Sequence, residues 1–425
     1  MASVAARATK PAASRRARTR VVEEDLLLTA VFCLIAFGAI MVYSASSGTS
    51  AVHGGNGTGF LVKYLGYGAV GLVVMHLVAR FPLQRLLALT GPLLGASLAC
   101  LVLLKVPGFG VTVNGATRWL GAGPFVFQPS ELAKLALVLY AARFLAERPR
   151  GLRRIGDLKP LGMVVGVAVL LVAAQPDLGT ALVICFTTAA MLVGAGVPMS
   201  WLGRIAGAGA LFVGLYAMTA PYRRARLTSF LNPWHDAGGA GFQAVQGQIA
   251  IGSGGLFGRG LGQSVEKIYY LPEGHTDFIL AIVGEELGVA GIFGLLALYG
   301  LVAWAGLRIA QQAKGVYPAL VAAGITSLVL SQAALNLFVV LGIAPLTGVP
   351  LPFISYGSTN LIVLLAGIGL VLNVARGGSV HLRAVSDTRD APRSRTDARA
   401  DDRHSGRRDS GTRGPGARGG RRAAG

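Results

Sequence analysis

Several ionisable side chains cluster in one short stretch, YYLPEGHTDFILAIVGEELG, at residues 269–288, and its apolar part continues to about Trp304. Ionisable groups beside or inside an apolar membrane segment are costly to place there and are therefore usually functional. If Asp277 begins a helix at one membrane surface, Glu285 and Glu286 lie roughly 12–14 Å deeper, at 1.5 Å per residue. The stretch therefore predicts an acidic, water-accessible notch, with the members Glu273, His275, Asp277, Glu285 and Glu286.

A structural interpretation of the same stretch stays open. Asp277 precedes an apolar run, and aspartate is a common N-cap because its carboxylate accepts hydrogen bonds from free backbone N–H groups. Glu285 and Glu286 would then pair with cations from neighbouring helices, because buried charges are normally paired. The spacing alone does not separate an acid–base site from capping combined with interhelical ion pairs.

A second set of opposite charges, Glu131 and Lys134, lies in the apolar run QPSELAKLALVLY at residues 128–140. Residues three apart share a helix face, so the two side chains can pair. A structural ion pair is the simpler prediction. The functional alternative is that Lys134 sets the charge state of a neighbouring acid, because a nearby cation favours the ionised carboxylate. Asp177, in QPDLGT, is predicted to cap the helix that follows it.

Metal and nucleotide sites are less well supported by the sequence. His235 and His275 have no Cys or His partners at zinc-ligand spacing, so no zinc site is predicted. A hard divalent ion, Mg²⁺ or Mn²⁺, held between Asp277 and a substrate phosphate stays an open alternative. The glycines of GSGGLFGRGLG, at residues 252–262, lack the Lys-Ser/Thr of a nucleotide loop. They are predicted to form a mobile loop able to fold over a substrate.

The composition indicates what must position these groups. The chain has 425 residues, of which 53% are hydrophobic and 14% charged, and its mean hydropathy is +0.59. Because soluble domains carry about 25% charged residues, an all-α polytopic membrane protein is predicted. The net charge of +20 comes from basic residues in the termini and short loops. That distribution is typical of the positive-inside rule and not of nucleic-acid binding.

Ten apolar segments come close to the roughly 20 residues needed to cross a bilayer. They are predicted at 26–46, 59–79, 84–105, 128–147, 158–174, 177–195, 200–220, 277–306, 316–343 and 352–376. An even number puts both termini on one side, and the basic short loops place that side in the cytoplasm. A long extracytoplasmic loop, residues 221–276, then separates the seventh and eighth spans.

Polar segments flank the predicted membrane domain, residues 23–376. Residues 1–22 are basic and residues 377–425 are Arg-rich, and both are too polar to bury a core, so both are predicted to be disordered cytoplasmic tails. The second tail is expected either to contact anionic lipid or a partner, or only to fix the topology. The Pro-rich segment, residues 342–355, cannot form a regular helix, so its backbone must be buried in protein or line a cavity.

Three arginines of PYRRARL depart from the positive-inside pattern, because they lie in the predicted extracytoplasmic loop. Arg223, Arg224 and Arg226, the arginine cluster, predict an anionic ligand, since guanidinium groups match phosphate oxygens. Lipid headgroups of the outer leaflet are the alternative ligand.

Five separated motifs of the chain, NGATRWL, QPSELAK, QPDLGTAL, LPEGHTDFI with GEELG, and GVPLPFISYG, occur in this order. Together with the ten predicted spans, these motifs are similar to those of the SEDS family. This family comprises the FtsW- and RodA-like proteins of bacterial shape, elongation, division and sporulation. The similarity covers about residues 25–376. The chain departs from the family at SYGSTN, where members commonly continue with a second Gly and Ser residues. This departure concerns the subfamily, and the residues before it are somewhat closer to the division type.

The resemblance implies a peptidoglycan glycosyltransferase that polymerises lipid II at the outer face of the bacterial cytoplasmic membrane. Asp277 matches the family's catalytic aspartate and would act as general base on the sugar hydroxyl of an incoming lipid II. Glu131 and Lys134 match residues that line the family's central cavity. The arginine cluster would hold the diphosphate of the undecaprenyl-linked glycan donor, and His275 and Glu286 are further candidates for substrate binding.

The resemblance also implies a partner, a class B penicillin-binding protein, which is a transpeptidase that cross-links the product. The expected location is the cell membrane, with the division septum as one site within it. Two other functions stay open, a lipid II flippase and a catalytically silent scaffold of a cell-wall complex. A transporter is disfavoured because transporters often contain inverted repeats and the sequence shows no internal repeat. No organic cofactor or nucleic acid is expected.

Overall fold

The computed structural model describes residues 10–52, 58–113, 116–122, 125–148, 152, 154–218, 230–239, 241–271 and 274–380. The arginine cluster, Arg223, Arg224 and Arg226, lies outside the described residues, as does Glu273. Residues 381–425, which make up most of the predicted second tail, also lie outside them.

Twelve α-helices occur in the described residues. The first seven are α1 (Lys10–Val52), α2 (Gly59–Arg80), α3 (Leu83–Leu103), α4 (Pro129–Ala146), α5 (Lys159–Ala173), α6 (Leu178–Gly194) and α7 (Met199–Met218). The remaining five are α8 (Phe242–Gly254), α9 (Glu266–Tyr269), α10 (Ile279–Gln311), α11 (Val316–Val340) and α12 (Ser358–Ala375). Short 3₁₀ helices lie at Ile155–Leu158 and Pro233–Asp236.

Seven helical segments of the described chain are long and apolar enough to cross a membrane. They are Val22–Ser47 within α1, Ile155–Ala173 including α5, and the helices α2, α3, α10, α11 and α12. The other three predicted spans correspond to α4, α6 and α7. Of these, α4 carries three charged residues in its 18 positions, Glu131, Lys134 and Arg143, and α6 has only 17 residues. The helical architecture agrees with the sequence, and the number of ten spans stays a prediction.

The first helix is longer than expected at its N-terminal end. It begins at Lys10, so residues 10–22 of the predicted disordered tail are helical. Pro11 falls in the first turn, where a missing backbone N–H costs no hydrogen bond, and Ala and Arg, both strong helix formers, dominate the next turns. Adding residues to an existing helix needs only helix propensity and no apolar periodicity, and the disorder of residues 1–22 stays a prediction.

A three-stranded antiparallel sheet lies between α3 and α4. Its strands, in the order of the sheet, are β1 (Gly110–Val113), β2 (Ala116–Ala122) and β3 (Phe125–Phe127), and Val111 pairs with Trp119. The all-α prediction misses this sheet because strands of three to seven residues are too short to show a clear alternation of apolar and polar positions.

The centre of the bundle is formed by α4 and α12, each of which buries fifteen of its eighteen residues. The closest approach to α12 is made by α2: a Cβ atom added to Gly369 would lie 2.4 Å from Met75 O. Only glycine permits that contact. By contrast, α2 and α3 bury only 22% of their apolar windows, as expected of helices whose remaining surface faces lipid.

The long loop before α10 contains a segment that returns into the bundle. This re-entrant segment, residues 242–271, comprises α8, α9 and the loop between them. The helix α8 runs beside α10 in the same direction, since Gly247 lies against Phe278 and Gly254 lies against Gly284. The predicted long loop is therefore partly internal.

Candidate active site

Asp277 lies where α10 meets the Pro-rich segment. Phe278 is the N-cap residue of α10, so Asp277 lies one position before the cap. Its side chain is half-buried, and Thr276 Oγ1 donates a hydrogen bond to Asp277 Oδ1 at 3.2 Å. A Cβ atom built on Gly348 would lie 3.8 Å from Asp277 Oδ2. The carboxylate is therefore partly accessible and is held next to a second element, as a general acid or base requires.

Asn336 of α11 fixes the backbone of this junction. Its Nδ2 donates to Asp277 O at 2.7 Å and to Val349 O at 2.8 Å, and the residue is only 1% exposed. Because both partners are carbonyl oxygens, only the amide nitrogen can face them, and the orientation of the amide is therefore determined. The Asn336 side chain thus ties Asp277 to the Pro-rich segment.

The Pro-rich segment has non-helical backbone, as its three prolines predict. Gly342, Gly348 and Phe353 have positive φ values of 73°, 68° and 63°. Its carbonyl groups are satisfied by side chains from several helices: Asn336 donates to Val349 O, Gln332 to Pro350 O, Tyr299 to Pro352 O and Tyr64 to Phe353 O. Such partners are required where irregular backbone lies at membrane depth. Val349 and residues 351–355 are buried in protein, one of the two expected environments, whereas residues 342–348 are mostly half-buried or exposed.

Glu131 and Lys134 form an ion pair, with a distance of 2.9 Å between Lys134 Nζ and Glu131 Oε1 and 2% exposure for each side chain. Asn360 Nδ2 donates to the second oxygen of Glu131 at 2.7 Å, and Lys134 Nζ donates to Gln332 Oε1 at 2.9 Å. Lys134 also lines a small cavity between α4, α6 and α11. Since Gln332 also binds Pro350 O, the pair is connected through one side chain to the Pro-rich segment.

His275 lies beside two aromatic rings that come from other elements, and a third ring lies beyond them. Its ring centroid is 4.5 Å from that of Phe60 and 5.8 Å from that of Tyr356, and Tyr67 lies 6.5 Å from Tyr356. The backbone of Tyr356 donates to His275 O at 3.0 Å. His275 and Asp277 thus share one surface region, as their spacing in the sequence predicts.

Glu286 does not belong to that region. It is fully buried, and Lys267 Nζ lies 2.7 Å from Glu286 Oε1. Ser44 Oγ of α1 donates to both carboxylate oxygens, at 2.6 and 2.8 Å. The carboxylate therefore joins α1, α10 and the re-entrant segment. The structure contradicts an accessible acidic notch at this position, because the polar groups around Glu286 come from the protein itself.

Glu285 is also fully buried and holds the re-entrant segment. Its carboxylate accepts hydrogen bonds from Ser264 Oγ at 2.5 Å and from the backbone N–H of Val265 at 2.9 Å. Arg259 NH1 lies 3.2 Å from Glu285 Oε1. The alternative of ion pairs is therefore correct for both residues: Glu286 pairs with a lysine of another helix, and Glu285 pairs with an arginine of the loop. Of the three carboxylates Asp277, Glu285 and Glu286, only that of Asp277 is partly accessible.

The glycine-rich loop packs against a break in α10 at Gly288. Gly288 has φ 69° and ψ −164°, and a Cβ atom there would lie 2.4 Å from Gly258 N. Four backbone hydrogen bonds of 3.0 Å bridge the break: Arg259 N to Glu285 O, Gly260 N to Glu286 O, Val289 N to Gly255 O and Ala290 N to Leu256 O. The glycines predicted to form a mobile cover instead supply the backbone partners that a broken membrane helix needs.

Asp177 caps α6, as predicted, because its Oδ1 accepts a hydrogen bond from Thr180 N at 3.1 Å. The residues that the sequence prediction misses are Gln332, Asn336, Lys267 and Ser44. The first two carry a detectable signal, since QAALN places two amides one helical turn apart inside an apolar helix. Lys267 and Ser44 carry none, because their partners are remote in the sequence.

No group of three or more His, Cys, Asp or Glu side chains that could hold a metal ion occurs in the part of the chain that the structure describes. Mg²⁺ commonly binds through one or two carboxylates and completes its shell with water and substrate phosphate. Asp277 can supply one such carboxylate. Two buried oxygen atoms of the same region, Asn336 Oδ1 and Thr347 Oγ1, have no hydrogen-bond partner.

Comparison with known proteins identifies the family. Residues 24–379 match the FtsW, RodA and SpoVE family of cell cycle proteins. The chain is 41% identical over 364 residues to stage V sporulation protein E of Bacillus subtilis, covering 84% of this chain and 98% of that protein. It is 42% identical over 358 residues to the probable peptidoglycan glycosyltransferase FtsW of Thioalkalivibrio sulfidiphilus, covering 83% and 89%.

A solved structure agrees with these relatives. The similar chain comes from work on the coordination of polymerization and crosslinking by a peptidoglycan synthase complex. The two chains superpose with a TM-score of 0.67 at 34% identity, over 82% of this chain and 96% of the other. The motifs, the helical membrane architecture and these matches lead to one conclusion: the chain belongs to the FtsW/RodA/SpoVE family of polytopic membrane proteins.

Proposed function

We propose that this protein is a peptidoglycan glycosyltransferase that polymerises lipid II at the outer face of the cytoplasmic membrane, with Asp277 as general base. The observation that carries the proposal is the partly accessible carboxylate of Asp277 beside the Pro-rich segment, while Glu285 and Glu286 are fully buried. The name of the Thioalkalivibrio relative supports the reaction class.

The reaction follows from the chemistry of the substrates. Asp277 takes the proton of a sugar hydroxyl on the incoming lipid II, and that oxygen attacks the anomeric carbon of the glycan strand. The bond from this carbon to undecaprenyl diphosphate breaks, and the diphosphate leaves with the electron pair. Asn336 keeps the backbone of Asp277 in place during the transfer through its bond to Asp277 O.

Two groups would stabilise the leaving diphosphate. The arginine cluster is suited to phosphate oxygens because guanidinium groups bind them in a bidentate manner. A divalent cation held by Asp277 would supply further charge neutralisation to the diphosphate. Polymerisation measured with added Mg²⁺ or Mn²⁺, against the same protein with a chelator, tests the cation, and equal rates in the two samples would remove it from the proposal.

A class B penicillin-binding protein is the proposed partner, because it would cross-link the strands that this protein makes. The similar chain in a synthase complex that coordinates polymerization with crosslinking supports this pairing. We place the complex in the cell membrane with both termini of the polymerase in the cytoplasm, and we favour the division septum. Co-purification and a higher polymerisation rate with the partner are the expected results.

Purified protein and labelled lipid II provide the main test. Wild type should form polymer, and Asp277→Asn should lose about 10²–10⁴-fold in rate, the usual contribution of a general base. Asp236→Asn is a matched control, because Asp236 is an exposed carboxylate of the same long loop. Headgroup translocation in liposomes without polymer would indicate a flippase, and neither activity would indicate a scaffold.

A further inference from the structure

Four aromatic side chains form a cluster at the Asp277 end of the bundle. Phe60 begins α2, Tyr67 lies two turns later on the same helix, and His275 and Tyr356 precede α10 and α12. The Phe60 centroid lies 4.5 Å from His275 and 5.2 Å from Tyr356, with the second pair edge to face at 87°. These four residues are termed the aromatic cluster.

The aromatic cluster lies next to Asp277. His275 precedes Asp277 by two residues, so their Cα atoms are at most about 7 Å apart. The backbone N–H of Tyr356 donates to His275 O at 3.0 Å, which holds the Tyr356 side of the cluster against the same segment. His275 of the aromatic cluster and the Asp277 carboxylate therefore lie on the same short segment of backbone.

Phe60, Tyr67 and Tyr356 pack against the core of the bundle, but no member of the aromatic cluster is fully buried. Aromatic side chains that only fill the core are buried in this protein, as Tyr64, Phe278 and Tyr299 are. Aromatic side chains on the outer surface of the helices are exposed, as Phe293 is at 65%. All members of the aromatic cluster are half-buried, so each has one surface packed against its neighbours and another surface open.

We propose that the aromatic cluster is a carbohydrate subsite, in which the acceptor sugar of lipid II stacks on Phe60 and Tyr356. The faces of aromatic rings are electron-rich and attract the polarised C–H groups of a pyranose. The His275 ring and the Tyr356 hydroxyl supply hydrogen bonds to sugar hydroxyls, in a site whose mixture of aromatic and few polar groups is typical of ligand pockets. This inference rests on the proposed polymerase function.

Stacking positions the acceptor for the proposed base. A sugar fixed on Phe60 and Tyr356 presents its hydroxyl toward Asp277, and the flat ring limits its rotation. Such orientation of a reacting group is a large part of the rate gain in group transfer. The cluster would therefore act on the sugar and not on the diphosphate or the polyprenyl chain.

The test uses competition by two fragments of the substrate against labelled lipid II. One fragment is the free disaccharide without diphosphate and polyprenol, and the other is undecaprenyl diphosphate without sugar. Phe60→Leu should raise the inhibition constant of the disaccharide about tenfold and leave that of undecaprenyl diphosphate unchanged. Tyr356→Leu should have the same effect, whereas Phe60→Tyr keeps the ring and should bind as wild type does. Tyr356→Phe keeps the ring but loses the hydroxyl, so it should weaken disaccharide binding less than Tyr356→Leu does.

Phe293→Leu is the control, because it removes an exposed aromatic ring from the same protein outside the cluster. Equal disaccharide binding by wild type, Phe60→Leu and Tyr356→Leu would overturn the subsite. Equal weakening of both fragments in the Leu variants would also overturn it, because that result indicates a general structural change. If wild type binds the disaccharide in the expected manner but makes no polymer, the proposed function fails and the subsite stands.

Discussion

Two buried carboxylate–lysine pairs lie in the described part of the chain, and they connect different elements. Glu131 and Lys134 pair at 2.9 Å, with 2% exposure each, and Glu286 and Lys267 pair at 2.7 Å, with 0% and 3% exposure. The first pair forms within one helix and extends through Gln332 to the Pro-rich segment. The second joins three elements and holds the re-entrant segment in the bundle.

The difference shows that burial of a charge does not by itself identify a reaction site. A buried ion pair is costly to desolvate, so it persists only where hydrogen bonds complete its environment. Glu286 obtains them from Ser44, and Glu131 obtains one from Asn360. Asp277 differs from both because it is half-buried, so part of its side chain reaches the protein surface.

The largest expected effect follows from breaking the second pair. Lys267→Met leaves Glu286 buried without its cation, so the free energy of unfolding should fall by about 3–5 kcal/mol. Amide hydrogen exchange should increase first in residues 255–271, which the pair holds. Both quantities are measured in detergent, by denaturant unfolding and by exchange mass spectrometry.

Two further variants make that result specific. Lys267→Met combined with Glu286→Gln should regain part of the lost stability, since no buried charge is then left unpaired. Lys314→Met removes an exposed lysine and should change little. Fast exchange throughout the bundle in Lys267→Met, and not first in residues 255–271, would show that the pair holds the whole fold and not this segment.

How far the sequence predicts these arrangements depends on the distance between partners. The Glu131–Lys134 pair and the Asp177 cap follow from spacings of three residues, and both are confirmed. The Ser44–Glu286 contact joins residues 242 positions apart, and no periodicity predicts it. Local rules therefore identify elements and local pairs, while the fold alone decides which remote groups meet.

The same limit explains the error at the glycine-rich loop. Its glycines adopt backbone that other residues rarely adopt, since Gly255, Gly258, Gly260 and Gly262 all have positive φ values. They do not indicate whether that backbone is mobile or fills a break in a neighbouring helix. The Pro-rich segment is predicted better, because three prolines exclude a helix and membrane depth then requires buried partners.

The second effect in size concerns Asn336, which connects Asp277 to the Pro-rich segment. Asn336→Leu leaves Asp277 O and Val349 O without their donor, and the expected loss is about 1–3 kcal/mol of stability. The polymerisation rate should fall about 10–100-fold, because a small displacement of Asp277 misplaces the base. Stability and rate are measured on the same preparation.

Asn373 provides a matched control for that variant. It is a buried asparagine of α12 whose Nδ2 donates to Val78 O at 3.2 Å and Phe81 O at 2.6 Å, away from Asp277. Asn373→Leu should therefore cost similar stability and preserve the rate per folded molecule. Equal losses of rate in both variants would mean that Asn336 acts through stability only.

The smallest expected effect on stability comes from an exposed ion pair, which is compared with the buried Glu131–Lys134 pair. Arg143 and Glu147 of α4 pair at 2.8 Å, close to the 2.9 Å of Glu131 and Lys134, but their side chains are 41% and 23% exposed. Glu147→Gln should change the free energy of unfolding by less than about 0.5 kcal/mol, because solvent screens an exposed pair. Glu131→Gln should cost several times more, since Lys134 then stays buried without its counter-ion. Denaturant unfolding of the two variants measures this difference in the free energy of unfolding. Equal losses in the two variants would mean that the distance between the charges, and not their burial, determines how much an ion pair stabilises this protein.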